Sequence, residues 1–272
     1  MSRPERVRPM LNWLVGVGLC AAVALAAADS PKRTFATSFE SVSDFSGFYI
    51  VPQRYMGTSW HEQSRERVQS GMFSHKAWIQ GANPPSSMFK NNNHRAYPTI
   101  QFQKTPAGAF KGPFEVEFRV WLDMPLKARK GENEWVSFAT LTDDPTDGWR
   151  RTVLVNLSHD GLLHLMHVPR QGTHEYLYQN TSLKFPQRQW VHVRVFLDNR
   201  ATGGYAKVWQ DGVLVSHARV EGMNGTLAQA HFGLYAAPSI TQGIVFNDDL
   251  VIREVDGEPA GQTPEVQGMV AE

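Results

Sequence analysis

Apolar and polar residues alternate one for one along much of this chain, most clearly from Phe114 to Leu122. Val116, Phe118, Val120 and Leu122 fall on one side of an extended backbone, with Glu115, Glu117, Arg119 and Trp121 on the other. Trp190 to Asp198 repeats the pattern, setting Val191, Val193, Val195 and Leu197 against His192, Arg194 and Phe196. Such alternation belongs to antiparallel strands that pack one face on a core and leave the other free. Further strands are predicted over Trp135 to Thr142, Thr152 to Leu157, Leu162 to Val168, Tyr205 to Trp209, Val213 to Ala218, His231 to Ala236 and Ile244 to Glu254. Asp160-Gly161 and Asp211-Gly212 separate apolar runs and predict tight hairpin turns, where glycine supplies positive φ without steric cost. No long 3.6-residue apolar pattern follows residue 28, so the expected fold is all-β, a two-sheet antiparallel jelly-roll sandwich over residues 29–256. Arg54 to Asn93, polar and rich in Ser, Asn and Pro, reads as a long irregular loop, and residues 257–272 as a disordered tail.

The first residues change the picture of where the chain works. Arg3, Arg6 and Arg8 precede the apolar run Leu11 to Ala28, which ends in Ala26-Ala27-Ala28. That order predicts a signal peptide over residues 1–28 and a periplasmic or secreted product, with no membrane attachment after cleavage. The single cysteine, Cys20, lies inside the leader, so the mature chain has no disulfide, thiol nucleophile or thiolate metal site and depends on its core. Losing three arginines and one glutamate with the leader turns the formal charge from +1 to −1, which implies no nucleic-acid partner.

A family likeness enters at Trp190-Val-His-Val-Arg-Val-Phe-Leu-Asp198 followed by Gly204-Tyr-Ala-Lys-Val-Trp-Gln-Asp-Gly212. This pair resembles the strand and "V-W-x-D-G" hairpin of the concanavalin A-like lectin/glucanase superfamily. Phe246-Asn-Asp-Asp-Leu-Val-Ile-Arg253 is similar to its final strand, and Phe39-Glu-Ser-Val-Ser-Asp-Phe45 to its first strand region. Within that superfamily the chain looks nearest to the heparin-lyase-like jelly-roll polysaccharide lyases; the Glu-x-Asp-x-x-Glu strand of the glucanases has no counterpart here. The resemblance implies a carbohydrate-active protein with a polysaccharide or oligosaccharide partner. The leading expectation is a lyase that cleaves an acidic, uronate-containing glycan by β-elimination and requires no cofactor. The alternative is a non-catalytic, lectin-like domain.

Such a lyase needs a cation at the uronate carboxylate, a base for the adjacent proton and an acid for the leaving oxygen. From Arg95 onward an extended backbone would place Arg95, Tyr97, Thr99 and Gln101 on one face, with Arg95 as carboxylate partner and Tyr97 and Gln101 as sugar contacts. Tyr205, Lys207 and Trp209 also share a face. The resemblance implies Tyr205 as acid, with Lys207 lowering its pKa and Trp209 stacking on a sugar. His75 and His94, in or beside the long loop, are the candidate bases, and His231 and Tyr235 share a face that could line a groove. A solvated outer strand accounts for the first row equally well, and an amphipathic ridge for the second. His159, His164 and His167 lack zinc-ligand spacing. A structural calcium held by Glu40 and Asp249 is the one metal expectation. Asn156, Asn180 and Asn224 begin Asn-x-Ser/Thr sequons.

Overall fold

A computed structural model of the chain describes residues 32–41, 48–50, 58–83, 92–146, 148–169, 175–176 and 180–258; the predicted leader and most of the predicted tail lie outside these. Two antiparallel sheets form a sandwich. Sheet I contains β1 (Thr34–Thr37), β3 (Ser59–Ser64), β4 (Ser74–Gln80), β8 (Phe114–Asp123), β13 (Trp190–Asp198), β14 (Tyr205–Gln210), β15 (Val213–Arg219) and β18 (Gln242–Glu254). Its order is β15-β14-β13-β8-β18-β4-β3, with β1 also paired to β18. Sheet II contains β2 (Phe48–Ile50), β5 (His94–Ala96), β6 (Pro98–Gln101), β9 (Trp135–Thr142), β10 (Thr152–Ser158), β11 (Leu163–Val168), β12 (Glu175–Tyr176) and β17 (Gln229–Ala236). Here the order is β12-β11-β10-β9-β17-β6-β2, with β5 also on β17. A small ribbon joins β7 (Phe110–Lys111) to β16 (Thr226–Leu227).

The predicted alternation sets the core. Val116, Phe118, Val120 and Leu122 of β8 and the four predicted aliphatics of β13 are at most 1% exposed. They pack with Val153, Val155, Leu157, Phe232 and Leu234 of sheet II in one cluster. Each such side chain contributes about 1.5–3 kcal/mol by leaving water. Both hairpin turns form as expected, with Gly161 and Gly212 at φ 79 and 82.

One expectation is corrected. Arg54 to Asn93 is not an unbroken loop, because β3 and β4 lie within it. Their polarity is inverted. The pairs Ser59↔Ile79, His61↔Ala77 and Gln63↔His75 share the inward face of β4, where Ala77 and Ile79 join the core. Trp60↔Trp78 and Glu62↔Lys76 take the outward face. Polar residues face in and tryptophans out, which hides the usual strand signature.

Candidate functional site

The outward face of sheet II carries several of the predicted binding residues. Backbone pairing sets Arg95↔Tyr235↔Ser137↔Asn156↔His164 in one row across five strands. A second row runs Thr99↔His231↔Thr140↔Leu154↔Met166, and a third Gln101↔Gln229↔Thr142↔Thr152. Their neighbours Ala96, Ile100, Ala230, Ala236, Val136 and Leu141 point the other way, into the core.

Three irregularities meet between the first two rows. Tyr97 separates β5 from β6, Gly233 interrupts β17 at φ 135, and the β9 register shifts against both β17 and β10. A Cβ on Gly233 would lie 2.8 Å from the Ala96 carbonyl oxygen and from His75 Cε1, so only glycine fits. Bulges re-aim side chains at the cost of ladder hydrogen bonds and concentrate beside functional sites. Here they gather rings around one histidine. The His231 ring stacks on Tyr97 with centroids 3.8 Å apart and planes 20° from parallel. Trp149 covers it at 4.8 Å, and Tyr235 stands edge-on at 5.9 Å.

Trp149 is held there by a loop tied at several points. Asp144 accepts from the Thr146 amide and hydroxyl and from the Arg150 amide, while Gln229 Nε2 donates to the carbonyls of Asp144 and Thr146. Trp149 and Arg151 both occupy the left-handed region, at φ 48 and 51. Such conformations cost roughly 1–3 kcal/mol each and persist where surrounding contacts dictate them.

His231 is 4% exposed, yet neither ring nitrogen has a hydrogen-bond partner among the described residues. Burial, and then the nearby Arg95 charge, lower its pKa to about 3, so the imidazole is neutral. Thr140 Oγ1 and Asn156 Oδ1, on the adjoining strands, are likewise buried without a partner. Buried polar atoms are nearly always paired, so three such side chains on one face need an explanation. Arg95 lies with its guanidinium 5.6 Å from the Tyr235 ring centroid and donates to the Asn93 carbonyl. Asn93 Nδ2 donates to the Tyr235 hydroxyl at 2.7 Å. Gln101 Nε2 donates to Gln229 Oε1, at the far end of the face.

Other expected members lie elsewhere. His75 is fully buried between the sheets, its Nε2 3.1 Å from His61 Nδ1. Burial, with His61 beside it, holds its pKa well below the ordinary value. His94 is also buried and points opposite to Arg95, its Nε2 2.9 Å from the Ile240 carbonyl oxygen. Both are interior groups rather than bases in a groove. Tyr205, Lys207 and Trp209 belong to β14 in sheet I, so Tyr205 and Arg95, expected as acid and carboxylate partner of one site, stand in different sheets. Tyr205 shares a 2.8 Å hydrogen bond with His217, and burial raises its pKa against a smaller lowering by Lys207. Lys207 pairs with Glu258 at 2.6 Å, and Trp209 is buried beneath Arg194.

Glu40 and Asp249 meet one loop as acceptors. Glu40 takes the amides of Met72 and Phe73, and Asp249 the hydroxyls of Ser38 and Ser70. Backbone amides meet Glu40 and serine hydroxyls meet Asp249, and no group of three His, Cys, Asp or Glu side chains placed to hold a metal occurs among the described residues. Asn156 sits inside β10 at 3% exposure, so its sequon is covered. The sequence reading missed Trp149, Thr140 and the Asn156 side chain as site members.

Comparison with known proteins identifies the architecture. No protein-family model matches the chain, and no curated protein matches it in sequence. Among solved structures, the endo-β-1,4-glucuronan lyase of the fungus Trichoderma reesei superposes with a TM-score of 0.51 at 14% identity, over 72% of this chain and 87% of that one. Cellulose induced protein Cip1 gives 0.52 at 16% identity, over 80% and 96%. The chain shares with them an all-β, two-sheet jelly-roll fold.

Proposed function

We propose that this protein is an exported polysaccharide lyase acting on an acidic, uronate-containing glycan at the outward face of sheet II. The observation that carries this reading is neutral His231, buried with both nitrogens unpaired among the described residues and set beside Arg95 and Tyr235. Fold similarity to a glucuronan lyase adds support. Arg95 binds the uronate carboxylate and stabilises charge developing at C5. His231 removes the C5 proton. The electron pair forms the C4–C5 double bond as the C4–O bond breaks, and Tyr235 protonates the departing oxygen. Asn93 occupies an acceptor site on the Tyr235 hydroxyl, leaving its hydrogen to donate.

A second reading, a non-catalytic glycan-binding protein, draws on the depth of His231 beneath Tyr97 and Trp149. The partly exposed rings of Trp149, Trp135 and Tyr235 would then serve as stacking surfaces. A panel of uronate polymers assayed by the ultraviolet absorbance of the unsaturated product separates the two. Absorbance growth supports the lyase; retention of a polymer without product supports the binder.

A further inference from the structure

The flank of sheet I formed by β3 and β4 departs from ordinary packing. Ser59, His61 and His75 face inward there, while the two tryptophans face out. Both are partly exposed, and their rings lie 6.0 Å apart, tilted by only 22°. Lys76 stands 5.0 Å from the Trp78 ring and ion-pairs with Glu62 and Glu66. From Trp78 the surface runs into a cleft of about 1030 Å³ at the end of the sandwich, lined in part by Gln80, Asp123, Gln187, Arg188 and Gln242. This cleft shares no residue with the rows around His231.

The geometry points to a second glycan-binding surface, specific for a neutral pyranose polymer and separate from the site on sheet II. The stacked indole pair on adjacent strands offers a partly exposed aromatic surface to the C–H face of a sugar ring, and indoles join such apolar contact to a polar edge. Planar amides at the cleft rim present both donors and acceptors to hydroxyl groups. Charge selects the class of sugar. In the cleft Arg188 faces Asp123 at 3.0 Å, and on the flank Lys76 faces both Glu62 and Glu66, so among these groups the carboxylates outnumber the cations by one. An anionic polymer would meet those carboxylates at close range, whereas a neutral one meets only dipoles and rings.

Affinity electrophoresis in gels cast with hydroxyethylcellulose, galactomannan, laminarin or alginate tests the assignment. The expected result is retardation of the full chain by at least one neutral polymer. Trp60→Ala and Trp78→Ala should each weaken that retardation at least tenfold, Trp78→Phe should retain most of it, and His231→Gln should match the parent. Thermal melting of each variant separates lost binding from lost folding; should Trp78→Ala unfold, Trp60→Ala and Trp78→Phe decide the question. Free migration of the parent in every neutral gel overturns the assignment, as does unchanged retardation of a folded Trp60→Ala. Retardation by alginate alone, abolished by Arg95→Ala, also overturns it and assigns all binding to sheet II. Failure of the lyase reading leaves the neutral-gel result unaffected.

Discussion

The two outward faces of the sandwich use polar residues in opposite ways. Over β8, β13 and β14, sheet I pairs its charges: Glu117 with His192 and Arg253, Arg194 with Glu115, and Lys207 with Glu258. On that face Glu115 Oε1 and Trp209 Nε1 are buried exceptions, without a hydrogen-bond partner among the described residues, although Glu115 keeps its ion pair with Arg194. Sheet II buries Thr140, Asn156 and His231 on its outward side and leaves Thr140 Oγ1, Asn156 Oδ1 and both His231 ring nitrogens unpaired among the described residues. Unpaired buried atoms forgo stability that a bound water or a ligand restores. Residue types alone did not separate these faces, since both carry Arg, Tyr and His. Partner geometry did.

The largest test of this contrast is His231→Gln, which should lower kcat on the cognate uronate polymer by about 10²–10⁴-fold, the usual share of a general base. Arg95→Ala should chiefly weaken kcat/KM, with Arg95→Lys partly restoring it, because a fork-shaped guanidinium suits a carboxylate better than an ammonium does. Gly233→Ala combines positive φ with two contacts of 2.8 Å and should destabilise the fold by roughly 2–4 kcal/mol, read from denaturant unfolding.

Acid sharpens the comparison through buried histidines. Burial lowers His61 to about 4 and His231 to about 3, and lowers His75, His94 and His164 as well. The unfolded chain takes up these protons near pH 6.5 and the folded chain does not, so stability is complete above that pH and falls below it. Asp248, raised to about 6 by burial, opposes this between about pH 4 and 6, and burial raises Glu115 and Asp143 in the same sense, but the lowered histidines, His217 among them, number six. The melting temperature should drop by about 5–10 °C from pH 7.5 to pH 5, given that 1 kcal/mol shifts it by about 2–4 °C at this size. A flat profile would show the histidines to be protonated in the folded state. The smallest effect is expected from Tyr205→Phe, which removes one half-exposed hydrogen bond to His217. It should cost about 1 kcal/mol or less and leave turnover unchanged within twofold.

The main strands were legible because alternation is local: nine runs read from the sequence reappear as β8 to β11, β13 to β15, β17 and β18. β3 and β4 were not, because His61 and His75 occupy inward positions and Trp60 and Trp78 outward ones. For the site, the face shared by Arg95, Thr99 and Gln101, and that shared by His231 and Tyr235, followed from the same periodicity. Which strands became neighbours did not. Tyr205 and Arg95 satisfied every local rule for partnership and ended in different sheets, since strand order depends on distant segments. Trp149 escaped because a left-handed backbone at a tryptophan has no local sequence signature.

The most direct measurement is unsaturated-product formation from a panel of acidic polysaccharides, comparing the parent with His231→Gln and Tyr205→Phe at matched folded concentration. The account predicts that the parent and Tyr205→Phe release product at equal rates while His231→Gln is nearly silent. Equal activity in the parent and His231→Gln, or loss confined to Tyr205→Phe, would move the chemistry off sheet II and contradict it.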